Sequence, residues 1–241
     1  MPDLLPAQTS SRGRLAAAFF GAALLSVALT FVPFGRHALY PFALVATWAH
    51  EMGHGLTALL VGGTFERLEL YSDLGGVAFT RRPDGLGAAM VSAGGLLGPA
   101  LLGGLVVVLG AREATARRVL LVLGGALGVS LVLWVRNPFG MGGVALLTVG
   151  TIALALRGGE LPRLLVTQMI GIQLCLGSLG SFDYMFTREF ERGGKVMVSD
   201  TQAIAQQLLL PYWLWGALIA LASVAILVAA FWAAWVRPGR E

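Results

Sequence analysis

The chain has 241 residues, 56% of them hydrophobic and only 12% charged, with a net charge of +4 and a mean hydropathy of +0.77. Soluble domains carry about 25% charged residues, so these figures exclude a large soluble domain and point to an all-α polytopic membrane protein. A single cysteine, Cys175, excludes an internal disulfide and reads as a small apolar helix residue. The positive charge comes from arginines in loops and at the termini. That suits anionic lipid headgroups, and no basic and aromatic cluster suggests a nucleic-acid partner.

Residues 1–14 are polar, hold two prolines and read as a mobile tail. From there to about residue 236 the chain reads as one integral membrane domain of six to seven transmembrane helices, with a small β-hairpin after the second. The first predicted span is Leu15 to about Val32. It is longer than a signal-peptide core and lacks a small-x-small cleavage site, so it is read as retained.

The second span, about Leu39 to Val61, carries His50-Glu51-Met52-Gly53-His54. Pro41 suits a first helical position and Gly62-Gly63 a stop. On a helix, a spacing of four puts His50 and His54 one turn apart on one face, where two imidazole nitrogens reach one zinc ion. Glu51 lies on the same turn and can take a proton from a water. A catalytic zinc needs a third protein ligand and one open position. His, Glu and His inside a membrane-length apolar stretch are costly unless they face a polar interior and act there. The plainer alternative is a helix whose polar residues bond to neighbouring helices.

Thr64–Tyr71 alternates partly at period two; Gly75-Gly76 and Val77–Thr80 follow. This predicts a β-hairpin. Its edge, at Gly76 and Val77, is a candidate for binding an extended peptide by strand addition, against the alternative of a solvated connector.

The third span, about Leu86 to Gly110, contains Ser92-Ala93-Gly94-Gly95-Leu96-Leu97-Gly98-Pro99. Small residues allow close helix packing, and Pro99 is expected to kink or interrupt the helix. A charged turn precedes the fourth span, about Val119 to Val135. Arg136 to Gly140 form a turn in which Asn137 is a candidate for binding substrate backbone or an oxyanion. The fifth span, Met141 to Leu156, is short for a full crossing. The sixth, about Leu164 to Phe186, carries Gln168, Gln173, Ser178, Ser181 and Asp183. Ser199-Asp200 then caps a short helix, Thr201 to Leu209, which gives Asp200 an ordinary capping role. The seventh span, about Tyr212 to Val236, has tryptophans near both ends, as interfacial belts do. Lysines and arginines divide almost evenly between the two sides, so charge does not set the orientation.

Alternating direction makes spans two and six run the same way. Asp183 then falls near the depth of His54, about 7 Å away at about 1.5 Å per residue. Besides Glu51 it is the only acidic residue inside any predicted span, and a carboxylate there wants a cation. Asp183 is therefore the expected third ligand. Asp200, on the same side but in a loop, is the alternative. Water, Asn137 and His37 follow, with His37 falling on the opposite side.

These residues resemble the site-2 protease family of intramembrane zinc metalloproteases, most closely its small bacterial branch. The resemblance rests on His50-Glu51-Met52-Gly53-His54, on the hairpin with Gly75-Gly76, on Gly98-Pro99, and on Ser199-Asp200 with Pro211 to Trp215. It implies that His50 and His54 hold Zn2+. It also implies that Glu51 activates water to hydrolyse a membrane protein or peptide within or near the lipid bilayer, and that the chain is a multi-pass protein of a bacterial cell membrane. The family pattern has a late Asn-Pro followed by Asp-Gly, whose Asp is the third ligand. Here Asn137-Pro138 is followed by Phe139-Gly140-Met141-Gly142-Gly143, without Asp, and Asp84-Gly85 comes too early. The competing readings are a non-catalytic metal- or partner-binding relative of the same fold, and a small transporter, which lacks a visible internal repeat.

Overall fold

The computed structural model describes residues 11–180, 182–192 and 195–236; the first ten residues of the predicted tail lie outside these. Helix α1 spans Ser11–Phe31 and α2 spans Gly35–Leu60. Phe34, at φ 65°, turns the chain between them. Pro41 does not take the first helical position: α2 begins at Gly35 and the proline sits inside it, where its missing N–H removes an intrahelical bond. Strands β1 (Thr64–Leu70) and β2 (Gly76–Arg81) form the predicted hairpin, antiparallel with a bulge between Phe65 and Arg67.

Helix α3 runs unbroken over Leu86–Leu109 with Pro99 inside it, so the proline does not interrupt the span. Helices α4 (Glu113–Leu133), α5 (Pro138–Arg157) and α6 (Glu160–Gly180) follow. The sixth expected span does not continue to Phe186. A separate turn of helix, α7 (Phe182–Met185), leads instead into a second hairpin, β3 (Glu189–Arg192) and β4 (Lys195–Val198), which the sequence reading did not anticipate. Helix α8 (Asp200–Gln207) and α9 (Tyr212–Phe231) close the chain, with a π-helical turn over Trp232–Val236.

Among the described residues, four helices are long and apolar enough to cross a membrane: Leu86–Leu109, Ala114–Leu133, Pro138–Arg157 and Tyr212–Ala234. Four, rather than six to seven, meet that measure; the polar motif lowers the hydropathy of α2. The fifth expected span, thought short, qualifies. The chain is an integral membrane protein.

Three contacts place the site. First, α2 lies closely on α3. A Cβ on Gly53 would strike the Gly94 carbonyl, and one on Gly98 would come within 3.1 Å of the Ala49 carbonyl oxygen. Small residues there let the two backbones approach. Second, β1 and β2 lie along α2. Leu68 and Leu70 are fully buried in a core with Leu44, Trp48, Met52 and Leu127. The Trp48 indole donates to Ser130 Oγ at 2.8 Å, which ties α2 to α4. The hairpin turn is held to α2 as well: Tyr40 and Thr47 hydroxyls donate to the Ser72 and Leu74 carbonyls at 2.9 and 2.8 Å. Third, α8 packs on α3, and the Gln207 side chain accepts the Gly85 N–H at 2.8 Å where α3 begins.

Candidate metal centre

His50 and His54 are one turn apart on α2, and their Nε2 atoms stand 3.0 Å from each other. Asp200 brings Oδ2 to 3.3 Å from both. Two imidazole nitrogens and one carboxylate oxygen thus form a nearly equilateral triangle. Donors around a tetrahedral zinc stand about 3.3 Å apart, since each lies about 2.0–2.1 Å from the metal. The donor set and its spacing therefore fit a divalent metal with one position left over. Among the described residues this is the one group of three such side chains within 4.8 Å of one another.

Local packing fixes each donor. His54 Nδ1 lies 2.9 Å from the Val91 carbonyl oxygen. A backbone carbonyl can only accept, so it favours the tautomer with hydrogen on Nδ1 and Nε2 free as a ligand. Gly95 makes room for the ring, because a Cβ on it would collide with the His54 imidazole. The glycines of the motif serve packing: Gly53 admits α3, and Gly55 admits the Phe65 ring of β1.

Asp200 is the first residue of α8. The side chain that caps α8 is Ser199, which accepts the Gln202 N–H at 3.2 Å. The capping role expected of Asp200 thus falls to its neighbour, and the Asp200 carboxylate turns to the histidines. Asp183, the ligand favoured from the sequence, belongs to α7, and its side chain lies outside the described residues. His37 is in the first turn of α2 beside the Phe34 ring, at the far end from the motif.

Glu51 is buried, 6% exposed, and faces the hairpin. A Cβ on Gly76 would come within 2.6 Å of Glu51 Oε1, so only glycine lets β2 pass this close to the carboxylate.

Hydrogen bonding decides which groups the hairpin offers. Leu68 exchanges bonds with the segment before α5: its N–H donates to the Trp134 carbonyl at 2.8 Å, and its carbonyl accepts the Arg136 N–H at 3.0 Å. Asn137 continues that edge, its Oδ1 accepting the Leu70 N–H at 3.0 Å and its Nδ2 donating to the Leu70 carbonyl at 2.5 Å. The outer edge of β1 is therefore filled, and the Asn137 amide is part of the filling. Leu68 pairs with Ala78, and Glu69 with Val77. In an antiparallel ladder paired residues alternate in direction. The N–H and C=O of Val77 consequently face β1, while those of Ala78 and Thr80 face away. Val77, expected at the open edge, pairs its backbone with Glu69 of β1 instead.

The Peptidase M50B-like family model matches residues 9–230. The chain belongs to this family, which is of the site-2 protease kind, and its class is that of a membrane metalloprotease. No curated protein and no solved structure matches it.

Two features escaped the sequence reading. The β3–β4 hairpin falls in a stretch, Arg188 to Lys195, that stands out in the sequence only by its charge. Tyr184, whose hydroxyl donates to Asp200 Oδ2 at 3.0 Å, carried no signal, because a tyrosine near the end of an apolar stretch looks interfacial.

Proposed function

We propose that the chain is a zinc endopeptidase that cuts a membrane-embedded protein, with His50, His54 and Asp200 as ligands and Glu51 as general base. The observation that carries this is the triangle of Nε2, Nε2 and Oδ2 at 3.0–3.3 Å, with a buried carboxylate on the same turn of α2. When bound, zinc supplies a Lewis acid for the scissile carbonyl and lowers the pKa of water to about 7.

Glu51 takes a proton from the attacking water as its oxygen bonds to the carbonyl carbon. It returns that proton to the leaving nitrogen as the carbon–nitrogen bond breaks. Its burial against Gly76 keeps bulk water from solvating the carboxylate and aims it along β2.

The depth of the site suits such a substrate. His54 packs against Gly95, nine residues after Leu86, which is about 14 Å into α3 at about 1.5 Å per residue. That is well inside a hydrocarbon core of about 30 Å. The backbone groups of Ala78 and Thr80 that face away from β1 form an open strand edge. An unwound stretch of substrate satisfies them by strand addition and passes Gly76 and Glu51 as it does so. Asn137 acts one step back, holding β1 so that β2 presents this edge.

The test is zinc content and cleavage of a membrane-span reporter by purified protein. About one zinc per chain with cleavage supports the reading. Cleavage that persists at full rate after complete removal of zinc overturns it.

A further inference from the structure

The carboxylate of Asp200 sits on a soft torsion: χ2 of Asp is broad and nearly two-fold, so nothing intrinsic keeps one oxygen facing both histidines. Tyr184 supplies the constraint. Its hydroxyl donates to Asp200 Oδ2 at 3.0 Å and accepts the Asp200 backbone N–H at 3.1 Å. One oxygen atom thus bridges backbone and carboxylate of the same residue, and the oxygen it grips is the one 3.3 Å from each imidazole. That N–H is among the donors a helix start leaves unpaired, so the hydroxyl also completes the cap that Ser199 begins.

The ring is held in place by what surrounds it. It meets the His50 imidazole edge-on with centroids 6.5 Å apart, and the Phe190 ring of β3 at 5.2 Å. The backbone of its segment is tied to the start of α8 independently of the hydroxyl. Thr201 Oγ1 donates to the Met185 carbonyl at 2.9 Å, Ser199 Oγ to the Thr187 carbonyl at 2.5 Å, and the Ser199 N–H to the Arg188 carbonyl at 2.9 Å. Three bonds already join residues 185–188 to 199–201. Beyond this clasp the hydroxyl adds its grip on the carboxylate and its bond from the Asp200 N–H.

We infer that Tyr184 is a positioning residue for the metal centre: its hydroxyl locks the Asp200 carboxylate in the orientation that completes the ligand triangle. A donor to a ligating carboxylate also draws charge from it and keeps the bound metal more electrophilic. The inference rests on the reading of Asp200 as third ligand.

The experiment measures zinc affinity by competition with a chelator series, in detergent, for the parent, Tyr184→Phe, Asp200→Ala and the double variant. Phenylalanine keeps the ring and its contacts with His50 and Phe190, so a role in packing alone leaves affinity unchanged. Loss of an outer partner of a metal ligand costs about 10–100-fold, and that weakening is expected for Tyr184→Phe. In the Asp200→Ala background the same change should have no further effect, because the group it orients is gone. Parent-like affinity in Tyr184→Phe, with affinity lost in Asp200→Ala, overturns the inference and leaves the ligand assignment standing. Equal weakening by Tyr184→Phe with and without Asp200 shows that it acts through the fold and overturns it too. Unchanged affinity in Asp200→Ala overturns the ligand assignment and the inference together.

Discussion

Helix α2 and the clasp between α7 and α8 both deliver donors to one point, by different means. In α2 the helical repeat itself sets His50 and His54 one turn apart, and their Nε2 atoms end 3.0 Å from each other. In the clasp nothing local does so. Asp200 reaches the histidines because Ser199 caps α8, because three hydrogen bonds tie 199–201 to 185–188, and because α8 rests on α3. A donor pair written in helical periodicity survives most changes elsewhere. A donor held by packing is exposed to every contact that supports it.

The largest expected effects fall in α2. His50→Ala and His54→Ala each remove one of three ligands, and both should lose stoichiometric zinc and all measurable cleavage while remaining membrane-inserted. Zinc analysis decides it: unchanged stoichiometry in both variants removes the site. Glu51→Gln should separate chemistry from binding. It keeps the shape and removes the base, so zinc stays as in the parent while cleavage falls by about 10²–10⁴. A variant that loses its metal would instead make Glu51 a ligand or a support.

The clasp is sharpened by a pair. Asp200→Asn should lower zinc affinity strongly, whereas Asp183→Asn should leave it within a few-fold of the parent. The reverse result returns the third ligand to α7 and shows that the triangle of His50, His54 and Asp200 is not the metal site.

That contrast also marks how far the residues alone could lead. The ligand pair and Glu51 are legible because a four-residue spacing needs only a helix to mean something. The β1–β2 hairpin is legible because Gly75-Gly76 separates two runs that alternate. Asp183 attracted attention by depth counting, which assumes that span six is one straight helix to Phe186. The structure ends α6 at Gly180 and starts a new turn at Phe182, so depth along a single helix no longer locates that residue. Asp200 looked like a cap, since Ser-Asp before a short helix offers two capping residues and sequence does not say which one caps. The glycines of α3 were legible as packing residues, but not that Gly95 makes room for a histidine ring. That depends on the register of two helices, which no local rule fixes.

The hairpin allows a subtler comparison between adjacent residues of β2. Ala78→Pro removes an N–H that faces away from β1, so it should cut cleavage of a membrane-span substrate by about tenfold or more with little change in folding. Val77→Pro removes an N–H that pairs with Glu69, so it should loosen the hairpin itself. Protection of β1 and β2 amides in hydrogen exchange separates the two. Strand addition at this edge is wrong if Ala78→Pro cleaves at the parent rate.

The smallest effect is expected at Asn137, and it discriminates between two roles. Its amide makes both bonds to the Leu70 backbone, so Asn137→Ala leaves a half-buried N–H and C=O without those partners. The cost should be about 1–3 kcal/mol, felt locally as weaker protection at the end of β1. Asn137→Asp keeps the acceptor for the Leu70 N–H but sets an oxygen against the Leu70 carbonyl, so it should be no better than alanine. Cleavage should fall only as far as the hairpin loosens, because Asn137 works through β1 and not on the scissile bond. Full protection in Asn137→Ala together with a large loss of cleavage would return Asn137 to direct contact with substrate. The order of the two losses, hairpin first and activity in proportion, is what a residue that only braces the edge must produce.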